Sequence, residues 1–317
     1  MKAEAFLADV EAKPATLRAL AGTIGDQQWP VVREDRLLLT GMGSSWFAAD
    51  TIARRLRRAG VHAVGELASV EASYPPDPSL TVIGITASGV SKETVELLAA
   101  HQGISRTVAL TNTATAQLPV DQTLLMHAGE ELGGVACRSY THTLALLLQL
   151  EQQLTGGLPD LAKQLEVASD AAAALLADRS WVPAVRATLG APQGCWLLAP
   201  AERMSNALQG ALMFREGPRQ PADGCETGDW NHVDVYLTKS LDYRALLFAG
   251  SRFDDDAVRW MRERHSRFVV IGGHLPGADA EVRYQGDDDP IVALLTEVLI
   301  AELIAADLWL HPEGSKR

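Results

Sequence analysis

Residues 37–60, LLLTGMGSSWFAADTIARRLRRAG, decide the fold. Leu37-Leu38-Leu39-Thr40 is a short unbroken apolar run, the signature of a strand buried on both faces. Gly41-Met42-Gly43-Ser44-Ser45 interrupts it, and Trp46 to Gly60 then follows helical spacing and stops on a glycine. The same order continues. Thr81 to Ile85 reads as a second buried strand, TASGVSKE (86–93) as a loop, TVELLAAHQG (94–103) as a helix, and Val108 to Thr111 as a third strand. Strands alternating with helices imply right-handed crossovers and a parallel sheet covered on both faces.

The pattern then repeats. Cys195 to Leu198 is a strand, PAERMSNALQGALMFRE (200–216) a helix, Ala245 to Phe248 a strand, AVRWMRERH (257–265) a helix and Phe268 to Ile271 a strand. Corresponding strands lie about 160 residues apart, the mark of an internal duplication. The expected fold class is therefore α/β, with two doubly wound three-layer α/β/α sandwiches, each built on a parallel sheet. Between the halves, residues 140–180 have the Leu- and Ala-rich spacing of two helices, broken at GGLPD (156–160). Pro159 and the glycines before it mark the division. The expected domains are 1–157, with an N-terminal helix, and 158–317, with the linking helix.

Composition narrows the functions. Of 317 residues, 47% are hydrophobic and 21% charged, which suits a globular chain. Asp and Glu number 40 against 28 Lys and Arg, a net charge of −12 that opposes nucleic-acid binding. Cys137, Cys195 and Cys225 have neither metal nor disulfide spacing, and no histidine pairs with a carboxylate or thiol as zinc sites require. No metal or cofactor is expected. The N-terminus lacks the apolar core of a signal peptide, and the apolar stretch IVALLTEVLIAELIAADLWL (291–310) is interrupted by Glu297, Glu302 and Asp307. A soluble, cytoplasmic protein with no membrane span is expected.

In open α/β sheets ligands collect at the carboxyl ends of strands, where helix N-termini offer free amides. Gly41–Ser45 and Thr86–Ser91 hold such positions in the first half. Their glycines allow close backbone approach and their hydroxyls can donate. Serine and threonine also cap helices, and one such loop alone reads either way. Two of them on consecutive strand ends favour an anion. No nucleotide motif is present: GxxxxGK[ST] is missing, and GMGSSW lacks the third glycine of the dinucleotide pattern. The second half's loops are poorer. PAERMS has no glycine, and AGSRFDD places Asp254 and Asp255, followed by Asp256, where an anion would be repelled. The duplicated site is expected to have lost phosphate binding.

GMGSSWFAAD (41–50), ITASGVSKETVELL (85–98), HAGEELGGVACRSYTHT (127–143) and NALQGALMFREG (206–217), in that order, resemble the tandem sugar isomerase (SIS) domains. These form the isomerase half of glucosamine-6-phosphate synthase and related phosphosugar isomerases, deaminases and deglycases. The resemblance covers residues 37–310. It implies a sugar phosphate or amino-sugar phosphate as ligand, and a homodimer with sites at the interface. It implies a phosphate held by Ser45, Thr86, Ser88 and Ser91, with Gly43 and Gly89 in the same loops and Ala87 where the synthase has glutamine. Glu131 matches a family glutamate and is either a substrate contact or a structural cap.

The synthase motif LEGALKLKE ends on a glutamate followed sixteen residues later by a histidine; LQGALMFRE here ends at Glu216, and the same count reaches His232. The resemblance thus implies Glu216 as the base that moves a proton between C1 and C2, and His232 as the ring-opening acid/base. Four departures oppose a plain transfer. Gln209 and Met213 replace a glutamate and a lysine, GDWNHVD surrounds His232, and Lys316 does not match the tail lysine of the synthase. With no glutaminase domain, glutamine-dependent amination is excluded for this chain alone. A noncatalytic sugar-phosphate sensor is the competing expectation.

Overall fold

The computed structural model describes residues 1–71 and 73–312; Lys316 and the tail around it lie outside the described residues. Helices α1 (Ala3–Glu11) and α2 (Lys13–Ala21) lead into β1 (Arg36–Gly41), α3 (Ser44–Arg58), β2 (Ala63–Leu67), β3 (Leu80–Ile85), α4 (Lys92–His101), β4 (Arg106–Thr111) and β5 (Gln122–Leu125). Three helices follow: α5 (Arg138–Thr155), α6 (Leu161–Ala177) and α7 (Val182–Leu189). The chain continues through β6 (Cys195–Ala199), α8 (Met204–Glu216), β7 (Ala222–Glu226), α9 (Thr227–Trp230), β8 (Arg244–Phe248) and α10 (Asp254–Glu263). It ends with β9 (Arg267–Ile271), β10 (Ala280–Val282), α11 (Pro290–Thr296) and α12 (Val298–Leu310).

Two five-stranded sheets form, in the orders β2-β1-β3-β4-β5 and β10-β9-β8-β6-β7. Every pairing in them is parallel. The six strands expected from the sequence are the inner strands of these sheets, β1, β3, β4, β6, β8 and β9. The four edge strands β2, β5, β7 and β10 were not expected. Their sequences, AVGEL, QTLL, ADGCE and AEV, mix polar with apolar positions and leave most residues only partly covered.

The duplication extends to close packing. A Cβ on Gly65 in β2 would stand 2.4 Å from the Asp50 backbone of α3, and one on Gly224 in β7 2.5 Å from the Ala207 backbone of α8. Glycine at the same place in each edge strand lets the preceding helix lie directly on the sheet.

The compact units interleave along the chain rather than meeting at residue 157. The first comprises residues 15–130 and 136–166, the second residues 1–14, 131–135 and 167–317. The N-terminal segment joins the second unit because α1 packs along α12. Phe6 meets the Trp309 ring at 6.1 Å between centroids, and Lys13 pairs with Glu302 at 2.5 Å, both side chains almost wholly buried.

The three carboxylates that interrupt the apolar C-terminal stretch all find cations in this unit: Glu302 meets Lys13, Glu297 meets Arg203 at 2.9 Å, and Asp307 meets Arg186 at 2.5 Å. That stretch is two helices, α11 and α12, adjoining at Glu297. Among the described residues no helix is long and apolar enough to cross a membrane.

Candidate functional site

In the first sheet β1 feeds α3 and β2 on one side, while β3 feeds α4 and β4 on the other. Chain order therefore reverses between β1 and β3, the switch point where open α/β sheets leave a crevice. These strands pair in register to their last residues, Gly41 opposite Ile85. The two hydroxyl-bearing loops thus leave the sheet side by side.

The two loops approach closely. A Cβ on Gly41 would be 2.7 Å from the Ser45 Cβ and 2.9 Å from the Ile85 carbonyl oxygen, so Ser45 lies against the end of β3. Gly43, at φ +51°, turns the chain into α3 through the left-handed region, which glycine enters without strain. Thr86 is buried, and its Oγ1 accepts from the Gly89 amide at 3.2 Å. Gly89 sits at φ +73°, where a Cβ would strike Ala116. Ser88 is exposed, its Oγ accepting a long 3.4 Å bond from the Val90 amide. Ser91 Oγ donates to Glu93 and accepts from Thr94 Oγ1, each at 3.2 Å.

The hydroxyls do not act as helix caps. Neither Gly43 before α3 nor Ser91 before α4 caps its helix through a side chain. Helices of 15 and 10 residues therefore present N-terminal amides at this edge without a side-chain acceptor, the electrostatic setting that favours an anion.

A clamp missed in the sequence holds the second loop. The Ala87 carbonyl accepts from Thr111 Oγ1 at 3.3 Å, Thr113 Oγ1 at 3.2 Å and the Asn112 amide at 3.1 Å. Asn112 Nδ2 also donates to the Gly129 carbonyl at 2.7 Å, while its Oδ1 accepts from the Ala128 amide. The signal was the Thr-Asn-Thr run after β4, whose partners are backbone atoms of other loops.

The second unit carries the remaining candidates. Glu216 ends α8, half-buried, and its carboxylate makes no hydrogen bond among the described residues. Burial pushes its pKa up, against the opposing pull of Arg219 and Arg215. His232 is exposed after α9; its backbone amide donates to the Asp229 carbonyl at 2.8 Å.

Within one chain the two do not meet. The Pro221 carbonyl just beyond Glu216 binds the Cys195 amide at the amino edge of the sheet. His232 follows the carboxyl end of β7, a strand about 13 Å long, so the two residues lie at opposite ends of it. Gln209 and Met213 are buried on α8, with Gln209 Nε2 3.6 Å from the Met213 sulfur. Glu131 belongs to the loop 131–135 of this unit, and its charge helps push buried Glu302 up, behind the larger effect of burial. Burial also raises the thiols of Cys195 and Cys225, which makes poor nucleophiles of them.

The second switch point, between β6 and β8, holds a guanidinium of its own. Arg203 pairs with Glu297 and donates to the Ala249 carbonyl. Asp254 turns its Oδ2 back onto the Gly250 and Ser251 amides at 2.7 and 3.0 Å, consuming donors that an anion would need. Glu297 is 0% exposed, so Arg203→Ala strands a buried charge. The expected loss is about 3–5 kcal/mol, read as a lower urea midpoint, with Glu297→Gln costing less.

No family model matches the chain. It is 28% identical over 227 residues to the glutamine–fructose-6-phosphate aminotransferase (isomerizing) of Pyrococcus horikoshii, covering 65% of this chain and 36% of that protein. It is 23% identical over 251 residues to the Methanothermobacter thermautotrophicus protein of the same name, covering 74% and 42%. The chain thus spans less than half the length of these curated relatives.

Among solved structures it resembles the C-terminal domain of glucosamine-fructose-6-phosphate aminotransferase from Francisella tularensis, with TM-score 0.79 and 15% identity, covering 96% of this chain and 95% of that one. Tagatose-6-phosphate ketose/aldose isomerase from Escherichia coli gives TM-score 0.78 at 16% identity, covering 98% and 95%. Glucosamine-6-phosphate deaminase from Thermotoga maritima gives 0.70 at 16%, covering 95% and 92%. The fold is that of the phosphosugar isomerase (SIS-type) proteins.

Proposed function

We propose that the chain binds the phosphate of a sugar phosphate or amino-sugar phosphate at the β1/β3 switch point, and isomerises or deaminates it. One observation carries the binding: two helix N-termini without side-chain caps open from in-register neighbouring strands, with Ser45, Thr86, Ser88 and Ser91 around them. Amides and hydroxyls suit a dianion in a chain of net charge −12, since they supply donors without requiring a basic surface. The names of the structural relatives, two aldose–ketose or amino-sugar phosphate enzymes among them, agree with this ligand class.

For the chemistry, Glu216 is the base that takes the proton from C1 or C2. Burial raises its pKa and so makes the carboxylate a stronger base than an ordinary glutamate. His232 is the ring-opening acid/base. Because a whole strand separates it from Glu216 in one chain, His232 serves the site of a second copy in a homodimer.

Buried Met213 and Gln209, in place of a lysine and a glutamate, favour the alternative of a noncatalytic sugar-phosphate sensor. A thermal-shift panel tests the binding. A hexose or hexosamine 6-phosphate at a hundred times its Kd adds about 2.7 kcal/mol, and the matching unphosphorylated sugar leaves Tm unchanged. A panel in which no phosphorylated sugar raises Tm removes the proposal.

A further inference from the structure

A cleft of about 370 Å³ opens at the amino edge of the first sheet, over the beginnings of β1, β2 and β3. Two guanidinium side chains, Arg36 and Arg57, line it together with His62 and Tyr74. Leu37, Val61 and Leu80, each 2% exposed, form its apolar floor. None of the described residues lining it is acidic, in a chain whose 40 Asp and Glu outnumber 28 Lys and Arg.

The polar side chains are held in place and largely unused. Arg57 Nη1 donates to the Ala63 carbonyl at 2.8 Å, while its Nε and Nη2 make no hydrogen bond among the described residues. The Arg36 guanidinium lies over the Tyr74 ring, 5.3 Å from its centroid, and comes no nearer than 4.0 Å to the Asp77 carboxylate. Asp77 is itself engaged by the Ser79 amide and hydroxyl, each at 2.7 Å. The His62 imidazole and the Tyr74 hydroxyl are open to solvent and make no hydrogen bond among the described residues.

That combination specifies an occupant. Guanidinium and imidazole N–H groups grip an anion, arginine in the paired geometry that suits a carboxylate. A flat ring covers an apolar floor and packs against tyrosine. Inorganic phosphate would leave the floor and the Tyr74 ring uncovered, and a neutral hydrocarbon would leave two cations without a counter-charge. A molecule with both parts meets both needs, and the volume suits a small organic ligand. We infer that this cleft is a second ligand site, for a small aromatic carboxylate. It lies the length of β1, about 17 Å, from the phosphate loops at the other edge of the sheet, so the two sites do not overlap.

The test is ligand-observed NMR titration of the full chain with benzoate, benzyl alcohol and acetate, which separate the ring from the charge. The expected result is saturable binding of benzoate, tighter than that of either other probe. Arg57→Gln and Tyr74→Ala alter exposed side chains and are expected to keep the wild-type unfolding midpoint. Arg57→Gln should weaken benzoate about tenfold, the effect of losing a hydrogen bond to a charged group. Tyr74→Ala should weaken it about fivefold through the lost ring contact. Ser88→Ala should leave it unaffected, which keeps the outcome separate from that of the phosphate site. Four results would overturn the inference: no saturable binding of benzoate, benzyl alcohol or acetate bound as tightly, wild-type affinity in either cleft variant, or binding that Ser88→Ala abolishes.

Discussion

Glu216→Gln is expected to lower the exchange of solvent deuterium into C1 or C2 of a bound sugar phosphate by about 10²–10⁴-fold, the range for losing a general base. Affinity for the ligand should change little, because the proposed phosphate site lies on loops of the first unit and the substitution preserves size and polarity. The reason lies in where the carboxylate sits. It is half-buried at the end of α8 with no hydrogen-bond partner among the described residues, so it gains none of the bonds that would stabilise its ionised form. Burial raises its pKa, and the nearby arginines oppose the shift only in part.

The sign of the pH dependence follows. A base acts when deprotonated, so exchange rises with pH through the Glu216 pKa. That limb lies above the ordinary glutamate value of about 4.3. Exchange that persists at wild-type rate in Glu216→Gln would make another group the base.

Mixing two inactive variants should restore activity. Glu216 and His232 lie at opposite edges of one sheet, with β7 running between them. If each site takes Glu216 from one protomer and His232 from its two-fold mate, Glu216→Gln and His232→Ala homodimers both lack a complete pair. Random reassembly makes half the dimers mixed, and each mixed dimer has one site with both groups intact. About a quarter of wild-type turnover is then expected after co-refolding, against almost none for either variant alone. Turnover that stays at the level of the single variants would mean that both groups act within one chain, and wild-type turnover in His232→Ala alone would mean that His232 has no part in the reaction. Exposure of the imidazole, with Val233 and Tyr236 also exposed beside it, leaves His232 free to reach a second copy.

The sequence was most legible where burial is complete. Leu37–Leu39, Val82–Ile85 and Val269–Ile271 are covered on both faces and read as strands because every residue is apolar or small. The edge strands are half-exposed and carry Glu66, Gln122 and Asp223, so their pattern resembles that of loops. The hydroxyl loops were legible because glycine and serine at strand ends have a local meaning. The clamp on the Ala87 carbonyl was not, since Thr111 and Thr113 act on backbone from a neighbouring strand end. Arg203 was equally hidden, its partner lying 94 residues later at Glu297. The sixteen-residue spacing from Glu216 to His232 is a count along the chain, and a count carries no information about the strand that turns between them.

Two neighbouring strand ends acting on one phosphate dianion is the claim on which the rest depends. A calorimetric double-mutant cycle of Ser45→Ala and Ser88→Ala, titrated with a single hexose 6-phosphate, tests it directly. Each single change should weaken binding about ten- to a hundredfold, since a hydrogen bond to a charged group contributes about 1.5–3 kcal/mol. The double variant should differ from the product of the two because both hydroxyls address the same group. Wild-type affinity in both single variants, or losses that simply multiply, would contradict a shared phosphate site.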